Sequence, residues 1–192
     1  MTSLRTSRLS KTLALVPPAV ALVAQHASGA FDAFIKIGDI VGESTDEKHA
    51  GWIELNSVEW NVSRSITAPT SGGSQREVSA PKVSELTLTK LLDRASPAIF
   101  LNVVGGTTAI PTVTVELQES GWEQAGVFYR LTLSNVLISS QKHVTADGED
   151  RPKETVSLNF TRIKIEYFYE DAKGGLIPAT PVQFDLSKGT AS

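Results

Sequence analysis

The chain has 192 residues, a formal net charge of −3 at pH 7 and no cysteine. This length suits one domain with a sizeable core, since roughly 150 residues per domain is typical. The slight acidic balance argues against a dedicated nucleic-acid surface, which normally carries a basic excess. Without cysteine, disulfides, thiolate nucleophiles and cysteine-ligated zinc are excluded.

Residues 1–30 differ in composition from the rest of the chain. A basic start is followed by the apolar run of residues 13–24 and by the small residues 27–30. This order is typical of a secretory signal peptide, and the run is too short for a transmembrane helix, which needs about 20 apolar residues. Because Pro17 and Pro18 interrupt the run, a disordered or structural extension is the alternative.

The body, residues 31–192, is predicted to be mainly β. Segments in which apolar and polar residues alternate, or in which β-formers are concentrated, predict strands. In chain order these are Phe31–Ile37, Trp52–Val62, Glu85–Leu91, Thr112–Leu117, Val127–Ile138 and Val156–Tyr169. The alternation of the second segment slips at Asn56-Ser57, which predicts a bulge.

One helix is predicted in the body, at 96–104. Ser96 is suited to cap it, Pro97 fits its first turn, and Gly105-Gly106 follows its end. Many strands with one short helix predict a compact β-barrel or sandwich.

Two segments read as loops. Residues 63–82 contain prolines, glycines and several Ser and Thr, with almost no large apolar side chain. At about 20 residues this loop exceeds the usual connection length, and such loops are commonly functional or disordered. Residues 145–153 form a second, charged loop.

No segment predicts a catalytic, cofactor-binding or metal-binding site, and the chain is not expected to be an enzyme. The glycine-rich 71–74 lacks the Lys-Ser/Thr of a phosphate loop, and 147–150 lacks the ligand spacing of a calcium loop. Asp46 to His49 places carboxylates beside an imidazole, but a polar turn that fixes the local backbone is the favoured interpretation. The tryptophans, Trp52, Trp60 and Trp122, are interpreted as structural packing rather than as a ligand-stacking surface.

Several segments resemble the hemolysin-coregulated protein (Hcp) family of type VI secretion. Residues 42–60, with Gly-Glu-Ser, an acidic turn carrying a His, Trp-Ile-Glu and a second Trp, resemble its N-terminal signature. The strand Phe34-Ile35-Lys36-Ile37 matches the family's opening strand. Residues 84–97 resemble its strand-to-helix passage, and 154–167 its late strand. The resemblance runs from Phe31 to the C-terminus.

The resemblance implies a compact β-barrel of two antiparallel sheets with one short lateral α-helix, like that of phage tail tubes. Such subunits assemble as six-membered rings that stack into a hollow tube. The implied partners are other copies of the chain, a VgrG-type spike, contractile sheath proteins and small effectors carried in the lumen. It implies assembly in the bacterial cytoplasm and secretion by contractile injection, with no nucleic acid and no membrane insertion of the body.

The segment 1–30 departs from the family pattern, because members typically begin near the position of Phe31. It is retained, or the start codon is misassigned, or the chain is an exported relative. Three hypotheses therefore compete. The first is a tube subunit, and the second is an exported Hcp-like binding module outside any tube, for which periplasmic export is possible. The third, a small hydrolase, has the least support.

Overall fold

The computed structural model describes residues 31–68, 76–119, 126–145, 151–173 and 175–192, and strands dominate them. The first strands are β1 (Phe31–Ile37), β2 (Ile53–Leu55), β3 (Ser57–Glu59), β4 (Val62–Ser63), β5 (Lys82–Val83) and β6 (Leu86–Leu91). The helix α1 (Ser96–Gly105) follows. The later strands are β7 (Ile110–Glu119), β8 (Val127–Val144), β9 (Lys153–Asn159), β10 (Arg162–Glu170), β11 (Leu176–Pro178), β12 (Val182–Asp185) and β13 (Thr190–Ala191). The mainly β prediction is confirmed.

The antiparallel sheet is organised around β8, which is shared by its two halves. The first half runs in the order β13-β12-β10-β8-β7-β1-β2, and the second continues from β8 through β9 and β6 to β3. Up to Val136 β8 pairs with β7 and β10, whereas from Leu137 onward it pairs with β9. At 18 residues β8 extends about 60 Å, which allows it to serve both halves.

Asn135 lies where β8 passes from one half to the other. Its φ is 54°, the only positive value outside glycine in the described residues. Asn is among the few side chains that adopt this left-handed region without a large penalty. The neighbouring register shift between Ile138 and Ser140 adds to the bend, so the strand changes direction without breaking.

The slip at Asn56-Ser57 is a change of partner strand rather than a simple bulge. β2 pairs with β1, β3 pairs with β6, and only Asn56 separates them. The Asn56 N–H donates to the Thr89 carbonyl at 2.7 Å. The chain itself therefore joins the two halves at the edge opposite β8, while the strand order of the described residues stays open and does not form the closed barrel that was predicted.

The core lies between the two halves and follows the strand alternation. On β6 the leucines Leu86 and Leu88 are fully buried, while Thr87 and Thr89 are partly exposed, as the alternation predicts. Ile35 and Ile37 of β1 are buried in the same cluster. Opposing side chains of this kind are worth about 1.5–3 kcal/mol each on burial.

The segment 156–169, predicted as one strand, is two strands. β9 ends at Asn159 and β10 begins at Arg162, because each pairs with a different half of β8. Phe160 is buried at the break, and the Thr161 N–H donates to the Ser134 carbonyl at 3.2 Å. The apolar Phe160 continues the alternation, which hid the break in the sequence.

Helix α1 lies where it was predicted, but its N-cap residue is not the predicted Ser96. Ala95 occupies the cap position and Ser96 is the first helical residue, with no side-chain cap. The Ser96 hydroxyl accepts a hydrogen bond from the Asp93 N–H at 3.1 Å and donates to Glu154. No helix among the described ranges has the length and apolar character that crossing a bilayer requires.

Candidate assembly surfaces

Helix α1 has no charged side chain, and large apolar residues occupy the side that faces solvent. Its sequence, Ser-Pro-Ala-Ile-Phe-Leu-Asn-Val-Val-Gly, has no charged residue. Ile99 is fully buried against the core, whereas Phe100, Leu101 and Val104 are 53%, 66% and 62% exposed. A surface helix normally presents polar residues outward, and an all-apolar helix is normally covered. We call Pro97, Phe100, Leu101 and Val104 the helix ridge.

A buried polar network fixes the start of α1 to the strands beneath it. Lys90 and Glu154 are both fully buried, and their charged groups lie 2.6 Å apart. Lys90 also pairs with Asp93 at 2.7 Å. Ser96 donates to Glu154 at 2.7 Å, and the Gln141 amide donates to the Ser96 carbonyl at 3.1 Å. Because β6, β8 and β9 all contribute, the helix ridge stands on a fixed platform.

The pKa of Glu154 reflects this network. Burial alone raises the pKa of a carboxyl group, since it disfavours the charged form. Hydrogen bonds from Lys90, Ser96 and Gln141 outweigh burial and bring the pKa of Glu154 below its usual value. The Glu154 carboxylate is thus ionised at neutral pH, and it lies 2.6 Å from Lys90 Nζ.

The two flanks of the predicted loop 63–82 pair with each other and form a two-stranded arm. β4 pairs with β5, Ile66 bridges to Val78, and the Thr67 N–H donates to the Glu77 carbonyl at 3.0 Å. The interpretation of these flanks as an unpaired loop was wrong, while residues 69–75 lie outside the described residues. Val62, Ile66 and Val78 are about half exposed, at 55%, 54% and 48%. We call residues 62–68 and 76–83 the arm.

A cleft of about 560 Å³ lies beside α1. It is lined on one side by Arg94, Ala98 and Asn102, and on the other by residues 37–41 and 108–111. The helix ridge occupies the neighbouring face of the same helix, so the ridge and the cleft form one continuous surface.

The turn at Asp46 is held by its own side chains, as the structural interpretation expected. Asp46 Oδ1 accepts hydrogen bonds from the backbone N–H groups of Lys48 and His49, each at 2.9 Å. His49 Nδ1 lies 2.7 Å from the same oxygen, and His49 Nε2 lies 2.8 Å from Glu116 Oε2. Burial raises the pKa of Asp46, but the hydrogen bonds from His49 and Lys48 bring it below its usual value.

His49 is inaccessible to any substrate. The ring is fully buried, stacks on Phe34 at 4.1 Å between ring centres, and meets the edge of Trp52 at 5.0 Å. Glu116 accepts a further hydrogen bond from Arg130 at 2.5 Å. With both ring nitrogens engaged, this cluster ties the 38–52 segment to β7 and β8 rather than forming an open acid–base site.

The tryptophans that the structure describes are half-buried structural residues. Trp60 follows β3 and packs against the core. It also hydrogen-bonds Tyr129, whose pKa is raised by burial and lowered less by that bond. Trp52 precedes β2, so both residues flank the strands instead of lying within them. Trp122 and the segments 71–74 and 147–150 lie outside the described residues, and elsewhere no cluster of metal-ligating side chains occurs.

Comparison with models of protein families identifies the family to which this chain belongs. The model of the family described as "Type VI secretion system effector, Hcp" matches residues 34–167. The chain belongs to the Hcp family. The curated Protein hcp1 of Pseudomonas aeruginosa is 33% identical over 145 residues, which are 76% of this chain and 88% of that protein.

Solved Hcp structures share the fold over most of the chain. A type six secretion system protein superposes with a TM-score of 0.77 at 28% identity, covering 85% of this chain and all (100%) of that one. Hcp1 from Salmonella typhimurium gives a TM-score of 0.67 at 28% identity, covering 85% of this chain and 99% of its own. This Hcp protein is therefore a structural, secreted protein of the type VI secretion tube.

The sequence alone predicted the family resemblance and most of the strands, but it did not predict the helix ridge. Phe100, Leu101 and Val104 were assigned to the helix without any expectation that they face outward. The signal that could have found them is the absence of a charged residue on any side of α1.

Proposed function

We propose that this Hcp protein forms six-membered rings that stack into the hollow inner tube of a type VI secretion machine. The observation that carries the proposal is the helix ridge, which leaves three large apolar side chains exposed on a fixed platform. Monomeric proteins rarely expose such a patch, and obligate assemblies cover it.

A polar face of the sheet is suited to the lumen. In register across β1, β7, β8 and β10 lies the row Lys36, Thr114, Thr132 and Lys164. The adjacent row contains Thr112, Ser134 and Arg162. These two rows present hydroxyls and charges rather than apolar side chains, which suits the passage of small effector proteins.

Further elements of the proposal come from the family. The tube is assembled in the cytoplasm within a contractile sheath, carries a VgrG-type spike, and delivers effectors without chemical catalysis by the tube itself. Residues 1–30 lie outside the described residues, and the proposal keeps them as a signal-peptide-like or disordered extension that precedes the domain of residues 31–192. No catalytic, metal or cofactor site is part of the proposal.

The test is the assembly state of the purified chain. Sedimentation velocity across micromolar concentrations, with negative-stain microscopy, is expected to show a discrete hexamer and annular particles. A chain that sediments only as a monomer over that range contradicts the proposal. A monomer that also retains a co-purified small ligand would instead support the exported binding module.

A further inference from the structure

The helix ridge forms one continuous stripe. Pro97, Phe100, Leu101 and Val104 are spaced at i, i+3, i+4 and i+7, which places them on one side of a helix. All four are exposed. The Lys90–Glu154 network anchors the first residue of the helix, Ser96, to the strands.

The arm carries a second apolar stripe. Ile66 and Val78 are bridge partners, so their side chains lie on the same face of the ribbon. Val62 lies nearer the base and is also about half exposed, and the register shifts by one residue between its pairing with Val83 and the bridge of Ile66 to Val78. The stripe is exposed except near its base, where Val83 packs against the core.

Beyond its base, where Val83 packs against the core, the described part of the arm has no strand partner elsewhere in its own domain. Its two strands pair only with each other, and a two-stranded ribbon is marginally stable in water. A ribbon that buries one face against another surface gains the apolar contact that its own pairing does not supply.

The charged residues of the two surfaces, and the presence of one arm and one helix ridge on each chain, indicate that a second copy is the occupant. Arg64, Arg76 and Glu77 are exposed on the arm, and Asp39 and Arg94 border the cleft beside α1, so each surface offers charges that can pair with the opposite charge on the other. Each chain carries one arm and one helix ridge. A closed assembly of identical chains needs two such different surfaces, one donated and one received by every copy.

We propose that the arm of one copy packs across the helix ridge of the next copy, with Ile66 and Val78 covering Leu101 and Val104. The contact deepens the proposed function, since it rests on assembly of identical chains. It names the two surfaces that meet, and it explains why both are apolar and exposed in the single chain.

A disulfide ladder tests the contact directly, because the chain has no native cysteine. The full-length double variant Ile66→Cys/Leu101→Cys is oxidised with copper phenanthroline and run without reductant. The expected result is a ladder of covalent oligomers. A ladder that stops at six chains places the contact within the ring, and a longer one places it between rings.

Matched variants exclude chance cross-linking. Each single cysteine variant yields at most a dimer, and Ile66→Cys/Lys36→Cys, whose second position is exposed on β1, is expected to give no ladder. If the Ile66→Cys/Leu101→Cys protein stays monomeric on the gel while unoxidised protein forms rings, the proposed contact is wrong.

A charge placed in the stripe gives an independent measurement. Leu101→Asp and Val78→Asp are expected to weaken assembly roughly tenfold or more, since burying an unpaired carboxylate is strongly unfavourable. Val182→Asp, at a position equally exposed on β12, is the control and leaves assembly unchanged. All three keep the wild-type melting temperature of the single subunit, because the positions are exposed.

The outcomes separate the contact from the function. Wild-type rings that are insensitive to Leu101→Asp overturn the contact and leave the ring proposal standing. Wild-type protein that forms no rings overturns the ring proposal itself.

Discussion

At the scale of single residues, the buried ions are the least replaceable feature of the domain. Lys90 occupies an inward position on β6 that the leucine alternation would fill with an apolar side chain. It is compatible with the core because Glu154, Asp93 and the Leu91 carbonyl take its hydrogen bonds. A buried charge of this kind is stabilising only while its partners remain.

Replacing Glu154 with Gln is expected to lower the free energy of unfolding by about 3 kcal/mol, because Lys90 loses its nearest counter-charge. Urea unfolding followed by tryptophan fluorescence measures the change. Glu43→Gln is the matched control, since it removes the exposed pair with Arg151 and is expected to have no measurable effect. Equal destabilisation by both substitutions would contradict the role given to burial.

Lowering the pH is expected to reduce the free energy of unfolding, because the Asp185 carboxylate becomes protonated. A hydrogen bond from Ser187, and then one from Arg162, lower the pKa of Asp185 from 3.8 to about 2. A carboxyl whose pKa is lower in the folded state contributes stability above its unfolded pKa and loses that contribution as pH falls. The difference in unfolding free energy between wild type and Asp185→Asn should therefore be constant at pH values well above 3.8 and shrink between pH 3.8 and pH 2. A difference that stays constant throughout that acidic range would contradict this assignment.

At the scale of elements, the bend of β8 depends on a residue that accepts a positive φ. Asn135 is exposed, so a substitution there tests the backbone rather than the packing. Asn135→Val is expected to cost about 1–2 kcal/mol, whereas Asn135→Gly is expected to be tolerated. Thr132→Val, at an ordinary position of the same strand, is the control. Thermal unfolding of the three variants measures the effect, and wild-type stability of the Asn135→Val protein would refute it.

Local patterns in the sequence predicted some elements well. β1 and β6 alternate cleanly, and α1 is bounded by Pro97 and a glycine pair, so their extents follow from nearby residues. The break between β9 and β10 was missed because it is set by which part of β8 each strand meets. Pairing within the arm was missed because its residues are mostly polar, and hydrogen bonds between backbones leave no mark on composition.

The candidate surfaces were less predictable than the fold. Exposure of Phe100, Leu101 and Val104 depends on which neighbours the helix lacks, and a sequence pattern reports only what is apolar. The turn at Asp46 was interpreted correctly as structural, but its long-range partner Glu116 lies 67 residues away from His49 and has no local signature.

At the scale of the whole molecule, residues 1–30 are expected to be dispensable. The pairing of β1 with β7 begins at Phe31 and is complete from there to Ile37. Proteins starting at Met1 and at Phe31 should have equal melting temperatures and equal ring size by sedimentation. A shortened protein that no longer assembles would show that the extension takes part in the tube.

The strand shared by both halves has a mechanical consequence for a protein that is pushed out of a cell. Since β8 belongs to both halves, a force that pulls them apart along this strand is borne by covalent bonds. A force across it must shear several hydrogen bonds at once, as along the β7–β8 ladder. The short outer strands β11 and β13 are held by few bonds and would yield first. Under load such a subunit is expected to lose the pairing of β11 and β13 while the β7–β8 ladder stays intact.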